Sequence, residues 1–209
     1  MKSLIKEIEK VRKSDVADTI RKRAAEFEKF KKKGEKEWFS ELCFCLLTAN
    51  TSAKMGMKMQ DSIGYAGFAG LPVEKLTKQL KENGYRFYNV RAIFIAEARK
   101  HKGIKKKIQE FDDEREAREW LVENVKGYGY KEASHFLRNV GCRNVAILDR
   151  HIINLMREHK MISEAPKSLG KKYYLEIEKK LDGFKEKVGM NHAELDLYMW
   201  YMKTGEVLK

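Results

Sequence analysis

Lys131 and Asp149 are the residue pair in this chain best suited to covalent chemistry, and they lie eighteen positions apart. A lysine amine attacks electrophilic carbon once it is neutral, and it can form an imine with that carbon. Neutrality requires desolvation, nearby positive charge or proton transfer, and of these a carboxylate supplies only proton transfer. A carboxylate also stabilises positive charge that develops beside it. Lys131 falls in the first turn of a helix that follows Val125-Lys126-Gly127-Tyr128-Gly129-Tyr130. Asp149 follows the apolar Ala146-Ile147-Leu148 and opens another helix as its N-cap. Each residue also has a plain reading, as a solvent-facing helix lysine and as a cap without chemistry. Spacing alone does not join them.

The elements that would position the pair are helical, and strand signals are nearly absent. Gly127 and Gly129 allow a tight turn between two helices. Backbone N–H groups at the start of the following helix would suit a phosphate, with Lys126 and Arg143 adding charge. An ordinary helix–helix turn explains the glycines equally well. Elsewhere the pattern predicts a first helix over 3–30, ended by Lys31-Lys32-Lys33-Gly34, and a second over 35–47. Thr48–Ser52 reads as a break with capping side chains, and Gly64–Gly70 as a loop. Further helices are expected over 73–82, 88–100, 114–124, 130–140 and 149–159, then one capped by Ser168 and one over 191–204. Val90, Ile93, Phe94 and Ala98 form the expected core face of the 88–100 helix, with Trp120 and Leu121 inward on the next.

Composition narrows the class. Lys and Arg total 44 against 31 Asp and Glu, a net charge of +13, which favours a polyanionic partner or a well-solvated surface. Hydrophobic residues make up 43% of the chain, so intrinsic disorder is a poor description. Cys43, Cys45 and Cys142 form no disulfide framework and no four-cysteine metal set, and they read as buried small hydrophobes. No apolar run is long enough for a membrane span. The expectation is an intracellular protein with free thiols, no metal and no membrane partner.

Read together, Gly127-Tyr128-Gly129-Tyr130-Lys131 and Leu148-Asp149-Arg150-His151 resemble the helix-hairpin-helix superfamily of DNA glycosylases. The chain is most similar to its archaeal-type (type 2) 8-oxoguanine glycosylase/lyase branch. That likeness extends to Phe44–Thr51, Gly84–Ala92 and Leu197–Gly205, and so covers nearly the whole chain. The resemblance implies an all-α, two-lobed fold with a DNA-binding cleft. The lobes are expected as 52–135, ending in the hairpin, and a discontinuous unit of 1–51 with 136–209.

The resemblance further implies removal of 8-oxoguanine from damaged double-stranded DNA, then β-elimination at the abasic site. Lys131 would be the Schiff-base amine and Asp149 the carboxylate, with no cofactor. Phe87 and Trp200 are the expected walls for a flipped base, and the terminal carboxylate of Lys209 an acceptor for the lesion's N7–H. Asn50, Arg86, Arg91, Lys126, Gly127, Gly129 and His151 are candidate DNA contacts, although Asn50 could be a cap and Arg91 an ion-pair partner. A monomer in the cytoplasm or nucleoid of a prokaryote is expected. Excision of another damaged base, or a nonenzymatic DNA-binding module, would account for part of the same pattern.

Overall fold

The computed structural model describes residues 1–164 and 168–209, so Pro166 lies outside it. Among the described residues the chain forms twelve α-helices and no strand, the expected all-α class. They group into two compact units, Lys31–Val140 and Met1–Phe30 with Gly141–Lys209. The boundaries thus fall at 30/31 and 140/141 rather than at 51/52 and 135/136. The reason is α3 (Glu35–Thr48), which packs on α4 (Ala53–Gly70) and on α9 (Tyr130–Asn139). The whole hairpin helix therefore belongs to the central unit.

In that unit α3 is buried on nearly all sides, with Phe39, Leu42, Phe44 and Leu46 each 0% exposed. Burying one such side chain contributes about 1.5–3 kcal/mol. Around it lie α4, α5 (Val73–Glu82), α6 (Tyr88–Ala98), α7 (Ile104–Ile108), α8 (Glu114–Asn124) and α9. Two expectations change here. The stretch from Gly64 to Gly70 is helical, and only Gly64 leaves helical backbone, at φ 65°, which kinks α4. The core face of α6 is Arg91, Ala92, Ile95 and Ala98, while Val90 and Ile93 are 49% and 45% exposed. The period was legible but α6 is apolar on several sides, so its rotation was not. Leu121 is buried as expected, and Trp120 is half-buried between His101 and Phe111.

The other unit contains α1 (Lys2–Arg12), α2 (Val16–Phe30), α10 (Arg150–Glu158), α11 (Lys171–Val188) and α12 (His192–Thr204). The expected 3–30 helix is broken near Ser14, whose hydroxyl donates to the Val11 carbonyl at 2.7 Å. Serine competes in this way with the helical ladder. Helix α11 starts after Gly170, so Ser168 is not its cap. Helix α12 packs on α1, α2, α10 and α11, and Asn191 and Glu194 close its start as a reciprocal capping pair. Ile20, Phe27, Leu197 and Tyr198 form one core cluster there. No helix among the described residues is long and apolar enough to cross a membrane.

The turn before α9 is fixed by its backbone. Gly127 has φ +91°, and a Cβ there would lie 2.3 Å from a Phe94 ring carbon. The Tyr128 hydroxyl donates to the Leu42 carbonyl at 2.9 Å and ties the turn to α3. Gly127→Ala should therefore lower stability by at least about 2 kcal/mol in denaturant unfolding. Gly183→Ala, in the exposed interior of α11 with open space at its Cβ, should raise it by up to about 1 kcal/mol. Equal effects of the two would contradict this reading of the turn.

Candidate active site

In the central unit, Lys131 is the second residue of α9 and is partly buried. Its neighbours are held on both sides. The Tyr130 hydroxyl donates to the Glu119 carboxylate, and the Arg118 guanidinium lies 5.3 Å above the Tyr130 ring. Arg118 is 0% exposed and also donates to Ser134 Oγ at 3.3 Å, one turn beyond Lys131. A cation on an aromatic face gains strength when desolvated. Glu132 accepts the Gly129 N–H at 3.2 Å. That donor, expected to be open to a phosphate, is already used, and Glu132 is committed to the helix start. Lys126 is exposed and pairs with Glu97 at 2.7 Å, a surface contact worth about 0–1 kcal/mol.

Asn50, Arg86 and Phe87 come together on the same unit. Arg86 donates to the Asn50 carbonyl at 3.1 Å and stacks 4.4 Å over the Phe87 ring. Asn50 is exposed with φ 60°, and Ser52, not Asn50, caps α4 by accepting from Met55 N at 3.1 Å. Arg91 departs from both expectations, since it is 7% exposed and donates to the Ala49 carbonyl at 3.1 Å. Buried in this way it holds the loop and does not present a guanidinium to a phosphate. The Tyr85 hydroxyl donates to Leu47 O at 2.8 Å, and burial pushes the Tyr85 and Tyr128 phenols up, keeping both as donors.

In the discontinuous unit, Asp149 caps α10, its Oδ1 accepting from Ile152 N at 2.9 Å. Its other oxygen makes no hydrogen bond to the described residues of this unit. The segment Val145–Leu148 that delivers Asp149 is buried but has no regular structure. Two α11 side chains, which sequence reasoning missed, hold three of its backbone groups. Glu178 Oε1 accepts from Ala146 N at 2.8 Å, while Tyr174 Oη donates to Ala146 O at 2.7 Å and accepts from Leu148 N at 3.2 Å. The available signal was Glu178 itself, a carboxylate on the same face as Tyr174, Ile177 and Leu181.

The rings of His151 and Trp200 meet edge to face at 4.9 Å, and Trp200 is half-buried on α12. The tail after α12 is not a frayed end, because 206–209 are partly buried and Val207 packs against the Ile20–Tyr198 cluster. Glu206 N donates to Thr204 Oγ1 at 3.2 Å and turns the chain. A small pocket of about 10 Å³ is lined by Ala146, Ile147, Ile152 and His192. Burial pushes the His192 imidazole down despite Asp182 at 2.8 Å. No group of three His, Cys, Asp or Glu side chains suited to a metal ion occurs among the described residues.

Residues 20–190 match the family model described as 8-oxoguanine DNA glycosylase. The chain is 52% identical over 206 residues to the 8-oxoguanine DNA glycosylase/AP lyase of Methanocaldococcus jannaschii, covering 99% of each. It is 47% identical to the protein of the same description from Korarchaeum cryptofilum, covering 99% of this chain and 98% of that one. The M. jannaschii enzyme solved with a 15mer DNA containing 8-oxoguanine matches with TM-score 0.97 over 99% of this chain and 100% of that one, at 52% identity. The 8-oxoguanine DNA glycosylase of Thermotoga maritima matches with TM-score 0.93 over 100% and 99%, at 43% identity.

Asp149→Ala should cost about 1 kcal/mol of stability through loss of the α10 cap, whereas Asp149→Asn, which keeps an acceptor, should cost less than about 0.5 kcal/mol. Urea unfolding of the two variants checks this. Equal losses would mean that the Ile152 hydrogen bond contributes nothing.

Proposed function

The chain belongs to the 8-oxoguanine DNA glycosylase family, and from that membership we propose that Lys131 supplies the amine and Asp149 the carboxylate of its chemistry. The protein is a bifunctional 8-oxoguanine DNA glycosylase/AP lyase, and DNA is its partner. What supports the residue assignment is that each unit by itself offers a suitable group at the start of a helix. One bears a partly buried lysine on a braced helix. The other bears a carboxylate with one oxygen held by a cap and one that makes no hydrogen bond to the described residues of its unit.

In the first step neutral Lys131 Nζ attacks C1′ of the flipped nucleotide. The C1′–N9 bond breaks, and the base leaves with the bonding electrons and takes up a proton. Asp149 stabilises the positive charge on the sugar as that bond lengthens and helps to move the proton. Opening of the sugar ring gives an iminium between Nζ and C1′. The iminium acidifies C2′, loss of a C2′ proton expels the 3′ phosphate, and water later releases the lysine. These steps use only protein groups and water.

Phe87 and Trp200 are proposed as stacking walls for the displaced base, and the α-carboxylate of Lys209 as the acceptor of the N7–H that normal guanine lacks. Partial exposure of both rings and the ordered packing of the tail support this reading. Asn50, Arg86, Lys126, His151 and the backbone around Gly127 are proposed as DNA contacts, and Gly129 stands as the N-cap of α9. Damaged duplex DNA, a monomer and an intracellular setting in a prokaryote complete the proposal.

The test is a set of duplexes containing 8-oxoguanine, oxidised pyrimidines, uracil or an abasic site, each with every opposite base. Cleavage should be strong at 8-oxoguanine and at the abasic site and weak elsewhere, and Asp149→Asn should slow base loss by about 100-fold or more without weakening DNA binding. Single-turnover rates near wild type would remove Asp149 from the mechanism. Adding several residues after Lys209 should slow 8-oxoguanine excision while leaving cleavage at a preformed abasic site. Unchanged excision kinetics would exclude the terminal carboxylate.

A further inference from the structure

We propose that Tyr174 and Glu178 of α11 are positioning residues that aim the Asp149 carboxylate. The inference rests on the role given to Asp149 above. It starts from the segment Val145–Leu148, whose four residues are each no more than 7% exposed and lie in neither helix nor strand. Buried peptide groups of this kind need partners. The partners are supplied from one face of α11, by residues one helical turn apart.

The Tyr174 hydroxyl does two things at once. It donates to Ala146 O at 2.7 Å and accepts from Leu148 N at 3.2 Å, so it bridges the peptide groups on either side of Ile147. Glu178 Oε1 takes the Ala146 N–H at 2.8 Å. Tyr174 and Glu178 are themselves 1% and 2% exposed, which removes competing water. The grip ends one residue before Asp149. The next fixed point is the cap from Asp149 Oδ1 to Ile152 N at 2.9 Å. Asp149 is thus held from both sides, and its uncommitted oxygen inherits a direction set largely by the clamp. A displacement of about 1 Å in a catalytic group can cost about 100-fold in rate. A chain that needed only a satisfied loop could have used a water or a strand partner. Two side chains on a rigid helix give less freedom.

Single-turnover excision of 8-oxoguanine at saturating enzyme tests this in a double-mutant cycle of Tyr174→Phe with Asp149→Asn. Expected for Tyr174→Phe is a fall of about tenfold or more in the rate, with the dissociation constant for DNA within about threefold of wild type. In the Asp149→Asn background the same change should cost less than about twofold, because the residue acts through the carboxylate. Glu178→Gln, which keeps an acceptor for Ala146 N, should restore most of the rate that Glu178→Ala loses. This second pair runs the same cycle should Tyr174→Phe fold poorly.

If Asp149→Asn is slow but Tyr174→Phe stays within twofold of wild type, the clamp is unnecessary and the role of Asp149 stands. Equal slowing by Tyr174→Phe in both backgrounds would mean a general structural effect, and it too overturns the proposal. Full activity of Asp149→Asn alone would instead overturn the carboxylate assignment, and the positioning role with it.

Discussion

Backbone groups buried between helices have no sheet to join in this protein, since no strand occurs among the described residues, and polar side chains take the place of that ladder. The same solution recurs wherever a functional segment leaves a helix. Tyr85 and Arg91 bind the carbonyls at the end of α3, and Tyr128 binds α3 from the hairpin turn. Glu35 accepts from Lys105 N and Lys106 N at the start of α7. Tyr174 and Glu178 hold the chain before α10. These bonds contribute about 1 kcal/mol each in net stability. Losing one costs more, because a buried partner is left without water. The arrangement favours precise placement over large net stability, which is what the roles proposed for Lys131 and Asp149 require.

The proposed chemistry places different demands on its two residues. Lys131 sits on a helix whose neighbours are locked by Arg118, Glu119 and Ser134, so its stem starts from a fixed point. Lysine has a flexible side chain, and its freedom lies beyond that point. Asp149 has a short side chain, one oxygen of which already serves the helix. Its usefulness depends on the backbone beneath it. This explains why the carboxylate is braced through the main chain while the amine is braced through its neighbouring side chains.

The amino-acid sequence made much of this visible, for physical reasons. Gly127 at φ +91°, packed on Phe94, is a turn that composition alone suggests. Asp149 caps its helix as its type and position predict, and the break at Thr48–Ser52 does supply a cap, from Ser52. What stayed hidden depended on long-range partners. Arg91 has the spacing of an exposed helix cation, yet its guanidinium turns inward to a carbonyl forty-two residues away in sequence. Glu178 interrupts an apolar face, but only the fold shows that Ala146 N is its reason. The break at Ser14 was missed because a helical period continues across it, whereas the glycines of Gly64–Gly70 suggested a loop although only Gly64 leaves helical backbone.

The Lys131 amine is proposed to form the covalent bond to the sugar. Borohydride reduction of the enzyme during cleavage of an 8-oxoguanine duplex, followed by proteolysis and mass spectrometry of the DNA-linked peptide, tests it directly. The expected result is one adduct, on Lys131 Nζ, and no trapped species from Lys131→Gln. An adduct on another amine, or undiminished trapping by Lys131→Gln, would contradict it.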